Sequence, residues 1–495
     1  MNDDYKVLAI DFGASSGRAI IGNLKDNKIS LTEIHRFSND PVKLNNTLYW
    51  DFLRLLFEIK TSLIKSKKYG KIKSIGIDTW GVDFGLLDKF GNLIENPVHY
   101  RDDRTNNILE DVFKKIDKHT LYEKTGNQIM HINTAFQLIA LKKQNENLFK
   151  RIDKILLMPD LFNYFLTGKK TTEMSIASTS QLFNQNKKNW DIDVLENLEL
   201  NKNVFTDIIP SGTIIAPIKE DILKELDMHS FNVVSITGHD TQSAVVAVPT
   251  TQENFVFLSC GTWSLMGTEL SQPIINEKSY KYNITNETGF NGKINFLKNI
   301  IGLWLVQETK KQLEKEGFSY SFSDLEEMAK KSQAFKCFID ADDELFVAPG
   351  NMPKRIKTYC KENFNVELLN IGEIVRTINE SLAFKYRYCL EQIKACTNKD
   401  YNSIYMIGGG VQSELLCQMT ANACNCTVYA GPVEATILGN ICIQLIASKK
   451  IKNIKEAREI IKKSENIKIY KPQDVKLWED SYIKFKNFID KKHKD

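Results

Sequence analysis

The fold of this chain is decided by residues 7–21, which read VLAIDFGASSGRAII. An apolar run ends at Asp11, a turn of small residues follows, and Arg18 opens a second run rich in β-branched side chains. A dinucleotide-binding fold or a P-loop would place a helix after such a turn, and a P-loop also requires Lys where this chain has Arg18. The stretch therefore predicts a β-hairpin with small residues at its tip and Asp11 at its entrance.

Residues 255–267, FVFLSCGTWSLMG, repeat this pattern half a chain length later. A strand pattern again runs into a tip of Ser and Gly residues and continues as a second strand pattern. One such unit at the head of each half predicts two domains related by duplication. This layout is typical of an α/β fold with two actin-like (ribonuclease H-like) domains, one phosphate loop in each, and an interdomain active-site cleft.

The domain boundary is predicted near the middle of the chain. A strand pattern at 233–237 leads into a helix of small residues that stops at Pro249. We therefore expect domains at 1–249 and 250–495. A terminal helix is expected over about 474–491, and the sequence leaves open whether it packs back on the first domain.

Three further stretches predict elements that carry polar residues at their ends. Residues 75–80, IGIDTW, predict a strand that ends in a polar cluster. Residues 404–407 predict a strand followed by three glycines at 408–410 and a helix over 412–423. A helix is also predicted over about 299–316, with Trp304 and Leu305 in the core.

Composition excludes several classes of protein. Hydrophobic residues make up 42% and charged residues 26% of the 495-residue chain, which is typical of a soluble globular protein and not of a disordered one. The net charge of +4 is too balanced for a nucleic-acid-coating protein. No stretch approaches the ~18 apolar residues of a membrane span. Nine cysteines, an odd number, and a start without a basic and apolar leader predict a reduced cytoplasmic protein, with no membrane or nucleic-acid partner and an undetermined oligomeric state.

Asp240 is the strongest candidate for a catalytic group. It follows a predicted strand and precedes a helix, so a rigid scaffold could aim its carboxylate at a hydroxyl and let it accept the proton during phosphoryl transfer. The alternative is that Asp240 simply N-caps that helix. The residues alone leave both interpretations open.

The chain resembles the FGGY carbohydrate kinases in an ordered set of motifs. These are DFGASSGR at 11–18, IGIDTWGVD at 75–83, YRD at 100–102, GHDT at 238–241, GTWSLMG at 261–267, LKN at 297–299, GLWL at 302–305, GGG at 408–410 and AGPVEA at 430–435. The resemblance implies ATP-dependent phosphorylation of a ketose, L-rhamnulose, at its 1-hydroxyl, with Asp240 as the base. Alternatives are a kinase for another ketose such as L-fuculose or xylulose, and an actin-like or chaperone-like ATPase without a sugar substrate.

Candidate ligand contacts fall into three groups. Small residues and Arg18 at the first hairpin tip would bind phosphate through backbone N–H groups, hydroxyls and positive charge, unless the tip is an ordinary turn: Ala14, Ser15, Ser16, Gly17 and Arg18. The resemblance implies ATP contacts at Thr262, Gln307 and Gly409. It implies sugar contacts at Gly81, His239, Asp240, Thr241 and Asn299. Asp11 is expected to hold Mg²⁺ through water, unless it only bonds turn amides.

Two residues depart from the pattern of the family. Ser413 stands where relatives commonly have Asn, which puts one adenine-side hydrogen bond in doubt. Thr420 replaces the first Cys of a Cys-x-x-x-Cys pair, so that disulfide cannot form. The thiols at 417, 424 and 426 are interpreted as core residues and not as a metal site. Trp80 could pack against the methyl group of a 6-deoxy sugar, but a core position is favoured.

Overall fold

The computed structural model describes residues 4–492. Within this range the chain forms two compact units, each built from three segments. The first unit contains residues 4–251, 270–296 and 435–465. The second unit contains residues 252–269, 297–434 and 466–492.

The described residues form 21 strands and 19 α-helices, numbered in chain order. The strands are β1 (Tyr5–Phe12), β2 (Ser16–Lys25), β3 (Lys28–Ser38), β4 (Val42–Leu44), β5 (Thr47–Tyr49), β6 (Ser74–Thr79), β7 (Phe84–Leu87), β8 (Lys154–Leu157), β9 (Thr172–Glu173), β10 (Phe183–Asn184), β11 (Asn189–Trp190), β12 (Ile208–Ile209), β13 (Thr213–Pro217), β14 (Asn232–Ser235), β15 (Val256–Cys260), β16 (Trp263–Leu270), β17 (Thr285–Thr288), β18 (Ile294–Ile301), β19 (Ser403–Ile407), β20 (Thr427–Ala430) and β21 (Lys468–Tyr470). The helices are α1 (Phe52–Ser66), α2 (Ile108–Phe113), α3 (Lys118–Thr125), α4 (Thr134–Gln144), α5 (Glu146–Phe149), α6 (Met158–Thr167), α7 (Met174–Ala177), α8 (Ile192–Asn197), α9 (Glu220–Leu226), α10 (Asp240–Val246), α11 (Glu277–Lys281), α12 (Trp304–Lys315), α13 (Phe322–Lys330), α14 (Met352–Phe364), α15 (Ile371–Thr397), α16 (Glu414–Cys424), α17 (Ala435–Ala447), α18 (Ile454–Ser464) and α19 (Val475–Lys492).

The first unit is organised around a six-stranded sheet in the order β13-β14-β6-β1-β2-β3. Strands β1 and β2 form the antiparallel hairpin predicted from residues 7–21, and β6 lies parallel to β1. In this register Asp11 lies beside Asp78, near the carboxyl ends of their strands. Apolar side chains of β1 and β6 are fully buried, as their near-continuous hydrophobic runs predict for central strands.

Helix α17 packs tightly into the first unit. A Cβ atom at Gly439 would lie 1.8 Å from the carbonyl oxygen of Ser243, so only glycine allows this approach to α10. Buried amides on the helix also bond the sheet, since Gln444 Nε2 donates to the Leu8 carbonyl at 3.0 Å. The middle of strand β1 is thereby held by a helix from late in the sequence.

The second unit contains the second predicted hairpin. Strands β15 and β16 pair antiparallel, and β19 lies parallel to β15 on its other side. The sheet continues with β20 parallel to β19 and β21 antiparallel to β20. Both hairpins predicted from the small-residue tips are therefore present.

The helix predicted over 299–316 is wrong at its beginning. Residues 294–301 form strand β18, and the helix α12 starts only at Trp304. The break falls at Gly302, where an added Cβ would lie 2.3 Å from Ser264 Oγ. Gly302 also donates its N–H to the Thr262 carbonyl at 3.1 Å, so the chain leaves β18 at this residue in contact with the β15–β16 hairpin.

The terminal helix α19 packs within the second unit. Its buried face, Trp478, Tyr482, Phe485 and Ile489, joins a cluster that includes Phe384 of α15. The sequence left open a return of this helix to the first domain, and the packing observed is within the second unit. No helix among residues 4–492 is long and apolar enough to cross a membrane.

Candidate active site

Asp240 is the first residue of helix α10, which follows strand β14 after a short connection. The connection is held from two sides: Thr79 donates its N–H to the Gly238 carbonyl, and Gly238 donates its own N–H to Glu173 Oε2, both at 2.9 Å. The Asp240 side chain remains 30% exposed. A fixed backbone thus presents a carboxylate that a ligand can reach, at a helix end that favours negative charge.

The N-cap alternative for Asp240 is not observed. His239 holds the N-cap position, and its side chain makes no capping bond. Asp240 Oδ1 accepts hydrogen bonds from Thr241, at 2.5 Å from the backbone N–H and 3.2 Å from the hydroxyl. Burial raises the pKa of Asp240 to about 6, with the His239 ring opposing this rise and Asp11 adding to it. A carboxylate with this pKa suits proton acceptance near neutral pH.

His239 connects Asp240 to a buried polar chain. Its Nε2 atom lies 3.4 Å from Asp240 Oδ1, and its Nδ1 atom lies 3.0 Å from Glu287 Oε2. The same Glu287 oxygen accepts a bond from Gln242 Nε2 at 2.7 Å. Burial lowers the pKa of His239, but the charge and hydrogen bond of Glu287, together with the charges of Asp240 and Glu173, raise it overall. No motif in the sequence points to Glu287, which lies 48 residues after His239.

Gly81 lies close to His239 and Thr179. A Cβ atom at residue 81 would lie 3.5 Å from His239 Nε2 and 3.5 Å from Thr179 Oγ1. The structure therefore brings four of the predicted sugar contacts, Gly81, His239, Asp240 and Thr241, together in the first unit, and Thr179 adds a hydroxyl that the sequence did not indicate. Asn299 lies on strand β18 in the second unit, and its contact with sugar stays a prediction.

Asp78 is a buried acid that sequence reasoning missed. Its Oδ2 atom accepts a bond from Asn440 Nδ2 at 2.6 Å, while Oδ1 has no hydrogen-bond partner among residues 4–492. Burial raises the pKa of Asp78 well above its usual range, and the nearby charges of Asp11 and Asp240 raise it further. The sequence pattern could have indicated Asp78, because an acid within the apolar run IGIDTW is unusual for a buried strand.

The first hairpin tip is held in one conformation by its own backbone and by a neighbour. Gly13 donates its N–H to the Ser16 carbonyl at 3.0 Å. Asn39 donates its backbone N–H to the Ser15 carbonyl at 3.1 Å and its side-chain amide to the Gly13 carbonyl at 2.8 Å. The tip is thus pre-organised, and Asn39 is a supporting residue that no sequence pattern indicated.

Asp11 and Arg18 face each other across this hairpin. Their side chains form an ion pair with 3.0 Å between Arg18 Nη2 and Asp11 Oδ2. Asp11 therefore has a cationic partner, which neither prediction for it included. Gly17 is required by packing, because an added Cβ would lie 2.2 Å from the Phe37 ring.

Two predicted nucleotide contacts bond to each other in the second unit. Thr262 Oγ1, at the tip of the β15–β16 hairpin, donates to Gln307 Oε1 on α12 at 3.1 Å. The Thr262 carbonyl accepts bonds from the N–H groups of Gly302 and Trp304, at 3.1 and 3.2 Å. The tip and the start of α12 therefore form one hydrogen-bonded assembly.

The three glycines at 408–410 differ in why the structure accommodates glycine at each position. Gly408 has a φ of +86°, and a Cβ at Gly410 would lie 2.2 Å from Cys260 Sγ. A Cβ at Gly409 would have no heavy atom within 4 Å. Backbone conformation explains Gly408 and packing explains Gly410, whereas Gly409 borders open space, as a ligand contact would require.

Ser413 and Thr420 both have structural partners. Ser413 caps α16, accepting the Leu416 N–H at 3.2 Å and donating to Glu326 Oε2 at 2.8 Å. Thr420 bonds the Leu416 carbonyl, and Cys424 is a free buried thiol, as are the other eight cysteines. Residues 4–492 contain no group of three or more His, Cys, Asp or Glu side chains arranged to hold a metal ion. The interpretation of the thiols at 417, 424 and 426 as core residues agrees with their burial.

Trp80 is a core residue. It is 5% exposed, its ring lies 3.9 Å from that of Trp50, and its Nε1 donates to Asp83 Oδ2 at 2.9 Å. Asp83 also accepts bonds from Trp50 Nε1 at 2.7 Å and from Gln137 Nε2 at 2.9 Å. Asp83, the second acid of the IGIDTWGVD motif, thus accepts hydrogen bonds from three buried side chains.

Comparison with known proteins is consistent with this geometry. Residues 6–247 match the N-terminal domain, and residues 256–448 the C-terminal domain, of the FGGY family of carbohydrate kinases. The chain is 43% identical over 464 residues to the rhamnulokinase of Oceanobacillus iheyensis, covering 94% of this chain and 97% of that protein. It is 42% identical over 468 residues to the rhamnulokinase of Halalkalibacterium halodurans, covering 94% and 99%.

Solved structures show the same fold at low sequence identity. A gluconate kinase from Lactobacillus acidophilus superposes with a TM-score of 0.80 at 16% identity, covering 98% of this chain and 97% of that one. A glycerol kinase from Plasmodium falciparum superposes with a TM-score of 0.79 at 16% identity, covering 99% and 98%. The predicted two-domain α/β fold is confirmed, and the chain belongs to the FGGY family of carbohydrate kinases.

Proposed function

We propose that this protein transfers the γ-phosphoryl group of ATP to the 1-hydroxyl of L-rhamnulose, giving L-rhamnulose 1-phosphate and ADP. The observation that carries the proposal is the partly exposed Asp240 carboxylate, fixed at the start of α10 beside His239 and close to Gly81. The high identity to rhamnulokinases over nearly the whole chain supports the choice of ketose.

Asp240 would act as the general base. As the sugar O1 atom bonds to the γ-phosphorus, its proton passes to Asp240 and the bond from phosphorus to the ADP oxygen breaks. The raised pKa of Asp240 makes the carboxylate a stronger base than an exposed Asp while leaving it ionised at neutral pH. His239, Thr241 and the backbone at Gly81 would hold the sugar hydroxyls, together with Asn299.

Nucleotide binding is assigned to both hairpin tips. The first tip, with Ala14, Ser15, Ser16, Gly17 and Arg18, offers backbone N–H groups, two hydroxyls and a guanidinium to phosphate oxygens. Thr262, Gln307 and Gly409 would contact ATP from the second unit. In this proposal residues 1–249 are the sugar-binding sequence domain and residues 250–495 the ATP-binding sequence domain.

We assign a magnesium ion to Asp11. The chemistry of the donor fits, since Mg²⁺ retains most of its water and uses one or two carboxylates plus nucleotide phosphates. Asp11 is 6% exposed and lies near the unpartnered oxygen of Asp78. The bound ion would neutralise phosphate charge that develops during transfer. A cytoplasmic location, where ATP is made, agrees with nine free and buried thiols.

A panel of ketoses tests the proposal. Purified protein with ATP and Mg²⁺ is assayed for ADP release on L-rhamnulose, L-fuculose, xylulose and no sugar, and the phosphorylated position is read by NMR. We expect the highest kcat/KM on L-rhamnulose and a product phosphorylated at O1. ADP release that is independent of sugar would indicate an actin-like or chaperone-like ATPase and contradict the proposal.

A further inference from the structure

Glu287 occupies an unexpected position for its place in the sequence. It lies within the range that matches the C-terminal family domain, yet it belongs to the first compact unit with His239 and Asp240. Strand β17, which carries it, is fully buried, and the Glu287 side chain is only 6% exposed. A buried carboxylate is stabilised only if it is paired and hydrogen-bonded, so its partners indicate what it does.

The partners of Glu287 form a line that ends at Asp240. Asn295 Nδ2 donates to Gln242 Oε1, Gln242 Nε2 donates to Glu287 Oε2 at 2.7 Å, and that oxygen lies 3.0 Å from His239 Nδ1. A carboxylate only accepts hydrogen bonds, so His239 must carry a proton on Nδ1. The other ring nitrogen, Nε2, is then directed toward Asp240 Oδ1 at 3.4 Å, and it lies 3.5 Å from the position of a Cβ atom at Gly81.

We propose that Glu287 is the positioning residue of this site, which fixes the tautomer and the ring orientation of His239 so that Nε2 faces Asp240 and the sugar. Gln242 donates a hydrogen bond to the same carboxylate oxygen and so restricts the movement of the Glu287 side chain. The inference rests on the proposed function, because it assigns His239 to the sugar. Groups that orient a ligating histidine through its second nitrogen commonly set its reactivity.

Kinetics of two variants test this role. Glu287→Gln preserves shape and removes the charge, and Glu287→Ala removes the contact. We expect kcat/KM for the ketose to fall about 10- to 100-fold in E287A and less in E287Q, because a small misplacement of a binding group has effects of this size. The KM for ATP should stay within about twofold of wild type, since no nucleotide contact is changed.

The matched control is Glu58→Gln. Glu58 is equally buried, with 4% of its side chain exposed, and it lies 2.5 Å from a histidine nitrogen, that of His35, on the α1 side of the first unit. E58Q should leave the constants for the ketose unchanged. An equal loss in E58Q and E287Q, or unchanged constants for the ketose in folded E287Q, would overturn the inference.

Nuclear magnetic resonance of the wild-type protein tests the tautomer without any variant of Glu287. Long-range ¹H–¹⁵N spectra of the histidine rings, with His239 assigned by the loss of its signals in H239Q, are recorded from pH 6 to pH 9. As the pH rises, we expect the ring to lose its proton from Nε2 while Nδ1 stays protonated. The negative charges of Glu287, Asp240 and Glu173 raise the pKa at which this happens. A neutral ring protonated on Nε2 overturns the inference even if both Glu287 variants fail to fold.

The kinetic and NMR experiments together also distinguish a failure of this inference from a failure of the proposed function. If the wild-type protein phosphorylates no ketose, the proposed function fails, and the spectra still decide whether Glu287 sets the tautomer. If the wild-type protein is active on a ketose but E287A behaves like wild type, only the role of Glu287 is lost.

Discussion

Asp240 Oδ1 lies 3.4 Å from His239 Nε2, at the junction between strand β14 and helix α10. The contact couples the proposed base to a ring that is itself bonded to Glu287. A cation on His239 lowers the pKa of Asp240, whereas burial and the charge of Asp11 raise it to about 6. The balance leaves a carboxylate that is ionised at pH 7 and still basic enough to take a proton from an alcohol.

Replacement of Asp240 by Asn should remove catalysis and leave the fold intact. Asn has the same shape but cannot accept the sugar proton, so we expect kcat to fall about 100- to 10,000-fold. Coupled ADP release measures the rate, and circular dichroism measures the fold. Turnover near the wild-type value would exclude Asp240 as the base.

The pH profile should report the Asp240 carboxyl. Only the deprotonated form accepts a proton, so we expect kcat/KM for the ketose to fall about tenfold per pH unit below about pH 6. Measurement from pH 4.5 to pH 8 at saturating ATP tests this. The residual activity of D240N should lack this limb, and a D240N profile with the same limb would assign it to another group.

The ionised carboxylate of Asp240 should also lower the free energy of unfolding above pH 6. Its pKa rises from the ordinary value of 3.8 to about 6 on folding, so the folded protein holds a proton that the unfolded chain releases, and stability declines as the pH rises through this window. D240N removes this effect, and we expect a gain in the free energy of unfolding of about 1 to 3 kcal/mol at pH 8. Urea denaturation at pH 5 should show a smaller gain. A gain that is larger at pH 5 would contradict the assignment.

Gly81→Ala should separate substrate binding from folding. The added Cβ would meet His239 Nε2 and Thr179 at ordinary contact distances of 3.5 Å, so we expect little change in the melting temperature. The methyl group would occupy the space over residue 81, and the KM for the ketose should rise about tenfold. Gly85→Ala is a contrasting control, because its Cβ would lie 2.4 Å from Leu161 and should destabilise the fold. A normal KM in folded G81A would remove Gly81 from the sugar site.

The substitution Thr262→Val should weaken the binding of ATP and leave the binding of the ketose unchanged. The change removes the hydroxyl that donates to Gln307 and that, in our proposal, donates instead to a phosphate oxygen when ATP is bound. We expect the KM for ATP to rise about 10- to 150-fold, the usual effect of losing a hydrogen bond to a charged group, with the KM for the ketose unchanged. Thr397→Val, on α15, makes the same chemical change at a helix carbonyl and serves as the control. A shift in the ketose KM alone would contradict the assignment.

Much of the site was predictable because it lies next to regular elements. Asp11 and Asp240 each follow an apolar strand pattern, and both positions are at strand or helix ends in the structure. The start of α12 was predicted too early, since the polar and apolar residues of 299–303 fit a helix as well as a strand. Packing of Gly302 against Ser264 decided between them, and no local pattern contains that contact.

The sequence alone determined the two small-residue hairpins, the absence of a helix after the first turn, the family, and Asp240 as the candidate base. The hairpins and the missing helix follow from periodicity and turn chemistry, which act over a few residues, whereas the family and the role of Asp240 follow from the resemblance of the ordered motifs to the FGGY carbohydrate kinases. Only the tertiary structure decided that Glu287 bonds His239, that Asn440 bonds Asp78, and that Asp83 accepts a hydrogen bond from Trp50 in the core. Buried polar groups must find partners wherever the fold provides them, and 48 or 362 residues of chain can separate the two members of such a pair.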